Sequence, residues 1–189
     1  LIDLSGVGFL SRIPWNLPNI LTLVRFLLIP VATVLICFDI IVPALAVYLA
    51  ACLTDLLDGY IARRRHLITE EGALLDPLAD KLMAIFVIIS FTITGVLPVY
   101  ILIVLLVKEL IMIGGGIFLY FKDIVTPANM FGKISAFTLN TAIAFTFLYK
   151  CVAPWHVYFL CFGLALMLAS LGQYAYLNIK KLKTKGGNA

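Results

Sequence analysis

The sequence predicts an all-α integral membrane protein of six spanning helices, and three observations carry that expectation. Of its 189 residues, 63% are hydrophobic and only 13% charged, with a mean hydropathy of +1.10, well above what a soluble domain with a polar surface shows. The apolar residues gather into stretches of about 20, the length a helix rising 1.5 Å per residue needs to cross a bilayer. The basic residues then fall almost wholly on one side of those stretches.

In chain order the expected spans are 19–38, 41–62, 74–96, 98–120, 134–152 and 155–177, and the breaks between them fall at turn-forming residues. Pro43 follows the first span, Gly95 and Pro98 separate the third from the fourth, Thr126-Pro127-Ala128-Asn129 precedes the fifth, and Pro154 opens the sixth. Ahead of them, residues 1–14 are too short and polar to span and suit a short interfacial helix or lead segment. The first apolar run continues to full length without a small-residue cleavage pattern, so no cleavable signal peptide is expected. The resulting division is a lead at 1–14, a six-helix domain at 15–180 and a basic tail at 181–189.

Six spans return both termini to one side. Arg12, Arg63, Arg64, Arg65, Lys122, Lys133, Lys180, Lys181, Lys183 and Lys185 all lie on that side, against Lys150 on the other, so both termini are expected in the cytosol. The net charge of +4 is thereby an orientation signal. Nucleic acid is not an expected partner. Trp15 and Trp155 fall at span ends, where indoles anchor, and His66 and His156 are expected at loops or interfaces on opposite sides. Cys37, Cys52, Cys151 and Cys161 lack zinc-ligand spacing and read as buried, idle thiols.

The stretch TDLLDGYIARRRHLITEEGALLDPLAD at 54–80 breaks the apolar pattern. A charge at bilayer depth costs at least about 2.5 to 3.5 kcal/mol, so ionisable residues there point to function. Asp55 and Asp58 are three apart near the end of the second span, and Asp76 and Asp80 are four apart near the start of the third. Each pair therefore shares a helix face. Antiparallel neighbours joined by the loop near 63–73 bring both pairs to similar depth. Four carboxylates in one small volume oppose each other's ionisation, and a divalent cation resolves the conflict. An all-oxygen donor set favours Mg²⁺, Mn²⁺ or Ca²⁺, and two ions suit four acids. Gly59 and Ala62 remove side-chain bulk on the face of Asp55 and Asp58, Gly72 does so ahead of Asp76, and Arg63 supplies a forked cation. The ensemble describes a diphosphate pocket.

These residues resemble the CDP-alcohol phosphotransferases, whose signature D-x2-D-G-x2-A-R-x8-G-x3-D-x3-D is matched by Asp55, Asp58, Gly59, Ala62, Arg63, Gly72, Asp76 and Asp80. The resemblance implies a six-helix membrane enzyme, usually a homodimer, that passes a phosphatidyl group from a CDP-linked lipid to an alcohol and releases CMP. It further implies that Asp55, Asp58 and Asp76 ligate metal, with Mg²⁺ or Mn²⁺ as cofactor. Asp80 would serve the second ion and act as general base, and Gly59, Ala62 and Arg63 would contact the cytidine diphosphate.

For the acceptor, IPWNLPNILTLVRFLLIPV at 13–31 is similar to the opening of phosphatidylglycerophosphate synthases. Asn19, Thr22 and Arg25 are spaced by three and share a face that suits the pocket entrance, the first two on the donor side. Lys108-Glu109 stands where such synthases often carry Arg-Glu, and Gly132-Lys133 is followed by Ile134-Ser135-Ala136. A phosphorylated acceptor needs further cations, and Arg25, Lys108 and Lys133 are the candidates.

The expectation is thus transfer from CDP-diacylglycerol to glycerol 3-phosphate, in the plasma or inner membrane, with the site toward the cytosol. The alternative within the family is a cardiolipin synthase taking phosphatidylglycerol. A cation transporter or channel would need midplane acids and a repeated pattern of broken helices, and neither is present in the sequence. Gly114-Gly115-Gly116 reads as a helix-packing surface.

Overall fold

A computed structural model describes residues 17–65, 70–122 and 130–186, and every regular element in them is helical. In chain order these are α1 (Leu17–Cys37), α2 (Ile41–Arg65), α3 (Glu70–Ile93), α4 (Val99–Tyr120), α5 (Met130–Thr146), α6 (Tyr149–Val152) and α7 (Trp155–Gly186). The expected lead helix over 1–14 and His66 lie outside the described residues. Three helices contain stretches long and apolar enough to cross a membrane: Ile20–Cys37, Val99–Leu119 and Trp155–Lys181. In α2 the apolar run covers only Ile41–Asp55, because the acidic and basic residues of 55–65 occupy its second half.

Two compact units divide the chain at Thr94/Gly95. In the first, α1 and α2 are joined by three residues. Ile40 N–H donates to Leu35 O at 2.9 Å and Asp39 N–H to Ile36 O at 3.0 Å, with Asp39 at φ 60°. This is a Schellman closure, and aspartate is among the few non-glycine residues that tolerate the left-handed conformation it requires. So short a link makes α1 and α2 antiparallel neighbours. α1 also packs along α3, whereas α2 and α3 touch each other little.

Small residues permit this packing. Ala32 of α1, Ala44 of α2 and Ala79 of α3 are fully buried, which lets the backbones approach where apolar solvent offers no drive for association. Ile29, Ile36, Met83, Val87, Ile88 and Phe91 fill the remaining core. The inward stripe of α1 runs Ile36, Ala32, Ile29 and then turns polar at Arg25 and Thr22, both buried. Outward positions such as Leu27, Val42 and Ile93 are exposed and apolar, as a lipid-facing surface requires. Hydroxyls inside helices bond their own backbone: Ser90 Oγ donates to Phe86 O at 2.7 Å and Thr92 Oγ1 to Ile88 O at 2.8 Å.

In the second unit, α5 and α4 each pack against α7. The expected fifth span, 134–152, is interrupted: α5 stops at Thr146, and Phe147 and Leu148 donate to carbonyls three residues back before the single turn of α6. That turn brings Tyr149 edge-on to His156, with ring centroids 6.3 Å apart. His156 is consequently buried rather than interfacial, while Trp155 beside it is exposed as expected.

At the α5–α7 contact, a Cβ built on Gly163 would lie 3.2 Å from the Leu139 Cα, a backbone atom that cannot swing aside. Gly163→Leu is expected to destabilise by about 1–3 kcal/mol through overpacking. Gly172→Leu, where a Cβ meets nothing within 4 Å among the described residues, should melt close to the parent. Thermal unfolding in detergent, followed by intrinsic fluorescence, compares the two.

Candidate active site

The described part of the aspartate stretch is set by three helices of the first unit. Arg25 lies eight residues after the start of α1, Asp55 ten residues before the end of α2, and Asp80 ten residues after the start of α3. At 1.5 Å per residue these are depths of about 12 to 15 Å from three helix ends that alternate in chain direction. Residues from α1, α2 and α3 can therefore meet at one level.

They do meet. Arg25 Nη1 lies 2.9 Å from Asp55 Oδ1. Only 1% of the arginine side chain is exposed, whereas Asp55 keeps 39% open. The guanidinium is thus the interior member, and the carboxylate is the one that ligands can reach. From α3, Asp80 lies within electrostatic reach of Cys52, one turn before Asp55, as do Asp55 and Arg25. Tyr48, a further turn back and 2% exposed, shares a side-chain hydrogen bond with Cys52 and also senses Asp80. Thr22 is fully buried on the Arg25 face of α1.

Asp58, Gly59, Ala62 and Arg63 belong to α2, Gly72 and Asp76 to α3, and Asn19 to α1. Their side chains lie outside the description. Lys108 and Lys133 are in the second unit. Lys108 is buried on α4 and donates to Glu109 Oε1 of the adjacent residue. Lys133 is exposed in the first turn of α5.

Two features escaped the sequence reading. Arg25 has no acid near it in sequence, and its pairing with Asp55 follows only when positions are counted inward from alternating helix ends. Tyr48 and Cys52 precede Asp55 by seven and three residues, a one-face spacing that was available but carried no chemical signal beside four aspartates.

Among the described residues, no three His, Cys, Asp or Glu side chains gather closely enough to hold an ion by themselves. What is present is two carboxylates from different helices, with a buried guanidinium behind one of them. Oxygen donors in a cationic setting can bind a hard metal ion and polarise a phosphate ester.

Comparison with known proteins places a family model described as CDP-alcohol phosphatidyltransferase over residues 15–170. A probable phosphatidylglycerophosphate synthase of Mycobacterium tuberculosis (strain ATCC 25618 / H37Rv) is 32% identical over 148 residues, covering 75% of this chain and 70% of that protein. A CDP-diacylglycerol--glycerol-3-phosphate 3-phosphatidyltransferase of Bacillus subtilis (strain 168) is 34% identical over 148 residues, covering 69% and 75%. Cardiolipin synthase (CMP-forming) of Rattus norvegicus is 35% identical over 118 residues, 62% of this chain but 39% of that protein.

Proposed function

Because the chain belongs to the CDP-alcohol phosphatidyltransferase family, we propose that it transfers a phosphatidyl group from CDP-diacylglycerol to glycerol 3-phosphate, releasing CMP. The observation that carries this reading is the pairing of buried Arg25 of α1 with the accessible carboxylate of Asp55 in α2. The acceptor assignment is supported by relatives named as glycerol-3-phosphate 3-phosphatidyltransferases, which match over most of both chains. The proposed topology is six spans, α5 and α6 together forming the fifth, with both termini and the site toward the cytosol, and the working unit is a homodimer.

Asp55 and Asp80, joined by Asp58 and Asp76 of the signature, would hold Mg²⁺ or Mn²⁺. Their oxygen-only donor set suits such hard ions, and Arg25 stands behind Asp55 as its counter-charge. When bound, the metal supplies charge neutralisation at the donor diphosphate. Asp80 takes the proton from the acceptor hydroxyl as its oxygen attacks the phosphatidyl phosphorus, and the bond to CMP breaks in line. Gly59, Ala62 and Gly72 leave room for the diphosphate, with Asn19, Thr22 and Arg63 as its further contacts. Arg25 faces the interior, so it acts on the site through its pair with Asp55.

The second reading, cardiolipin synthesis with phosphatidylglycerol as acceptor, rests on the rat and human cardiolipin synthases among the relatives, of which the chain covers 39%. CMP release by the purified protein with CDP-diacylglycerol, Mg²⁺ or Mn²⁺ and one acceptor at a time separates the two. Turnover with glycerol 3-phosphate that EDTA abolishes is the expected result. Turnover with phosphatidylglycerol alone transfers the assignment to cardiolipin synthesis, and CMP release that survives EDTA removes the metal from the reading.

A further inference from the structure

Far along the chain from the aspartate stretch, α4 and α7 leave between them a half-open cleft of about 160 Å³. Gly115, Phe118 and Leu119 line it from α4, and Tyr174, Asn178 and Ile179 from α7. The cleft exists because α4 lacks side chains there: a Cβ built on Gly114, Gly115 or Gly116 meets nothing within 4 Å among the described residues. The glycine run read from sequence as a packing surface is thus open within its own unit. The one amide in the wall is turned inward, Asn178 being 3% exposed and donating from Nδ2 to Tyr174 O at 2.8 Å.

One end of the cleft is cationic. Its lining stops at Leu119 on α4 and Ile179 on α7, and Lys122, Lys180 and Lys181 follow within one turn, all exposed. On the six-span topology proposed above, α4 and α7 cross in the same direction, so the three lysines share a side. Apolar walls opening toward lysines match an amphiphile with an acyl chain and a negative headgroup. The dimensions agree, since an apolar cavity of roughly 150 Å³ takes a guest the size of benzene. A few methylenes fit.

We propose that this cleft binds an anionic phospholipid of the bilayer, with part of one acyl chain against Gly115 and the phosphate against Lys122, Lys180 and Lys181.

The test uses the full chain in nanodiscs with diazirine-acyl phosphatidylglycerol or diazirine-acyl phosphatidylcholine, and maps the labelled peptides. The expected result is label on 111–119 and 171–179 from phosphatidylglycerol at about ten times the level from phosphatidylcholine. Lys180→Gln/Lys181→Gln should bring the phosphatidylglycerol label down to near the phosphatidylcholine level, a loss approaching tenfold. Gly115→Leu, which fills the cleft, should abolish it. Equal labelling by the two lipids, no label on these segments, or efficient disulfide cross-linking of Gly115→Cys between two copies would each overturn the proposal. If Gly115→Leu does not fold, the lysine variant still decides. CMP release measured on the same samples reports the aspartate site independently, so failure there is distinguishable from failure here.

Discussion

Asp80→Asn is expected to lower CMP release by roughly 10²–10⁴-fold, the range over which a positioned general base contributes. The substitution preserves size and removes the proton acceptor, and Asp80 is part-buried beside fully buried Ala79 in well-packed α3. Thermal stability should therefore stay near the parent, and the loss should appear in kcat more than in KM for the donor. Rate measurements with CDP-diacylglycerol at saturating and limiting acceptor provide that split. Turnover near the parent level would remove Asp80 from the chemistry.

The second large effect concerns the pair formed by Arg25 and Asp55. Its exposures are unequal, with the arginine 1% and the aspartate 39% open. Asp55→Asn takes the carboxylate from a buried guanidinium, whereas Arg25→Met leaves a carboxylate that water still reaches. Asp55→Asn is therefore expected to be the more destabilising, and both should lose most CMP release. In Arg25→Met/Asp55→Asn stability should partly return, with a coupling energy on the order of 1–3 kcal/mol, while activity should not. Unfolding of the four proteins in one detergent closes the cycle. Additive losses would mean that the contact does not hold these helices together.

The helices were legible in the sequence because lipid imposes long apolar stretches, and each expected span overlaps a helix. The misplaced ends have a physical pattern. α2 runs on to Arg65, α3 begins at Glu70 and α7 continues to Gly186, because hydropathy marks the part of a helix that suits hydrocarbon and cannot see polar turns beyond it. The break after Thr146 was invisible for the opposite reason, as the residues on both sides of it are equally apolar. At the site, the aspartates stood out by the cost of burying charge. Their counter-ion did not, since Arg25 and Asp55 are thirty residues apart and only the Schellman turn at Asp39 folds one helix back along the other.

Chain order gives the position of α1 between α2 and α3 a meaning for biogenesis. α1 leaves the ribosome before either acidic helix, and domains and their parts assemble with the N-terminal portion first. A charged residue at the centre of a spanning helix penalises insertion by about 2.5–3.5 kcal/mol. On the proposed six-span topology α1, carrying Arg25, would stand in the membrane as a ready partner when α2 arrives with Asp55, each helix relieving the other's penalty. On the proposed topology the Arg25–Asp55 pair would help α2 enter the bilayer, so substitutions at Arg25 should reduce the amount of protein in the membrane as well as its rate.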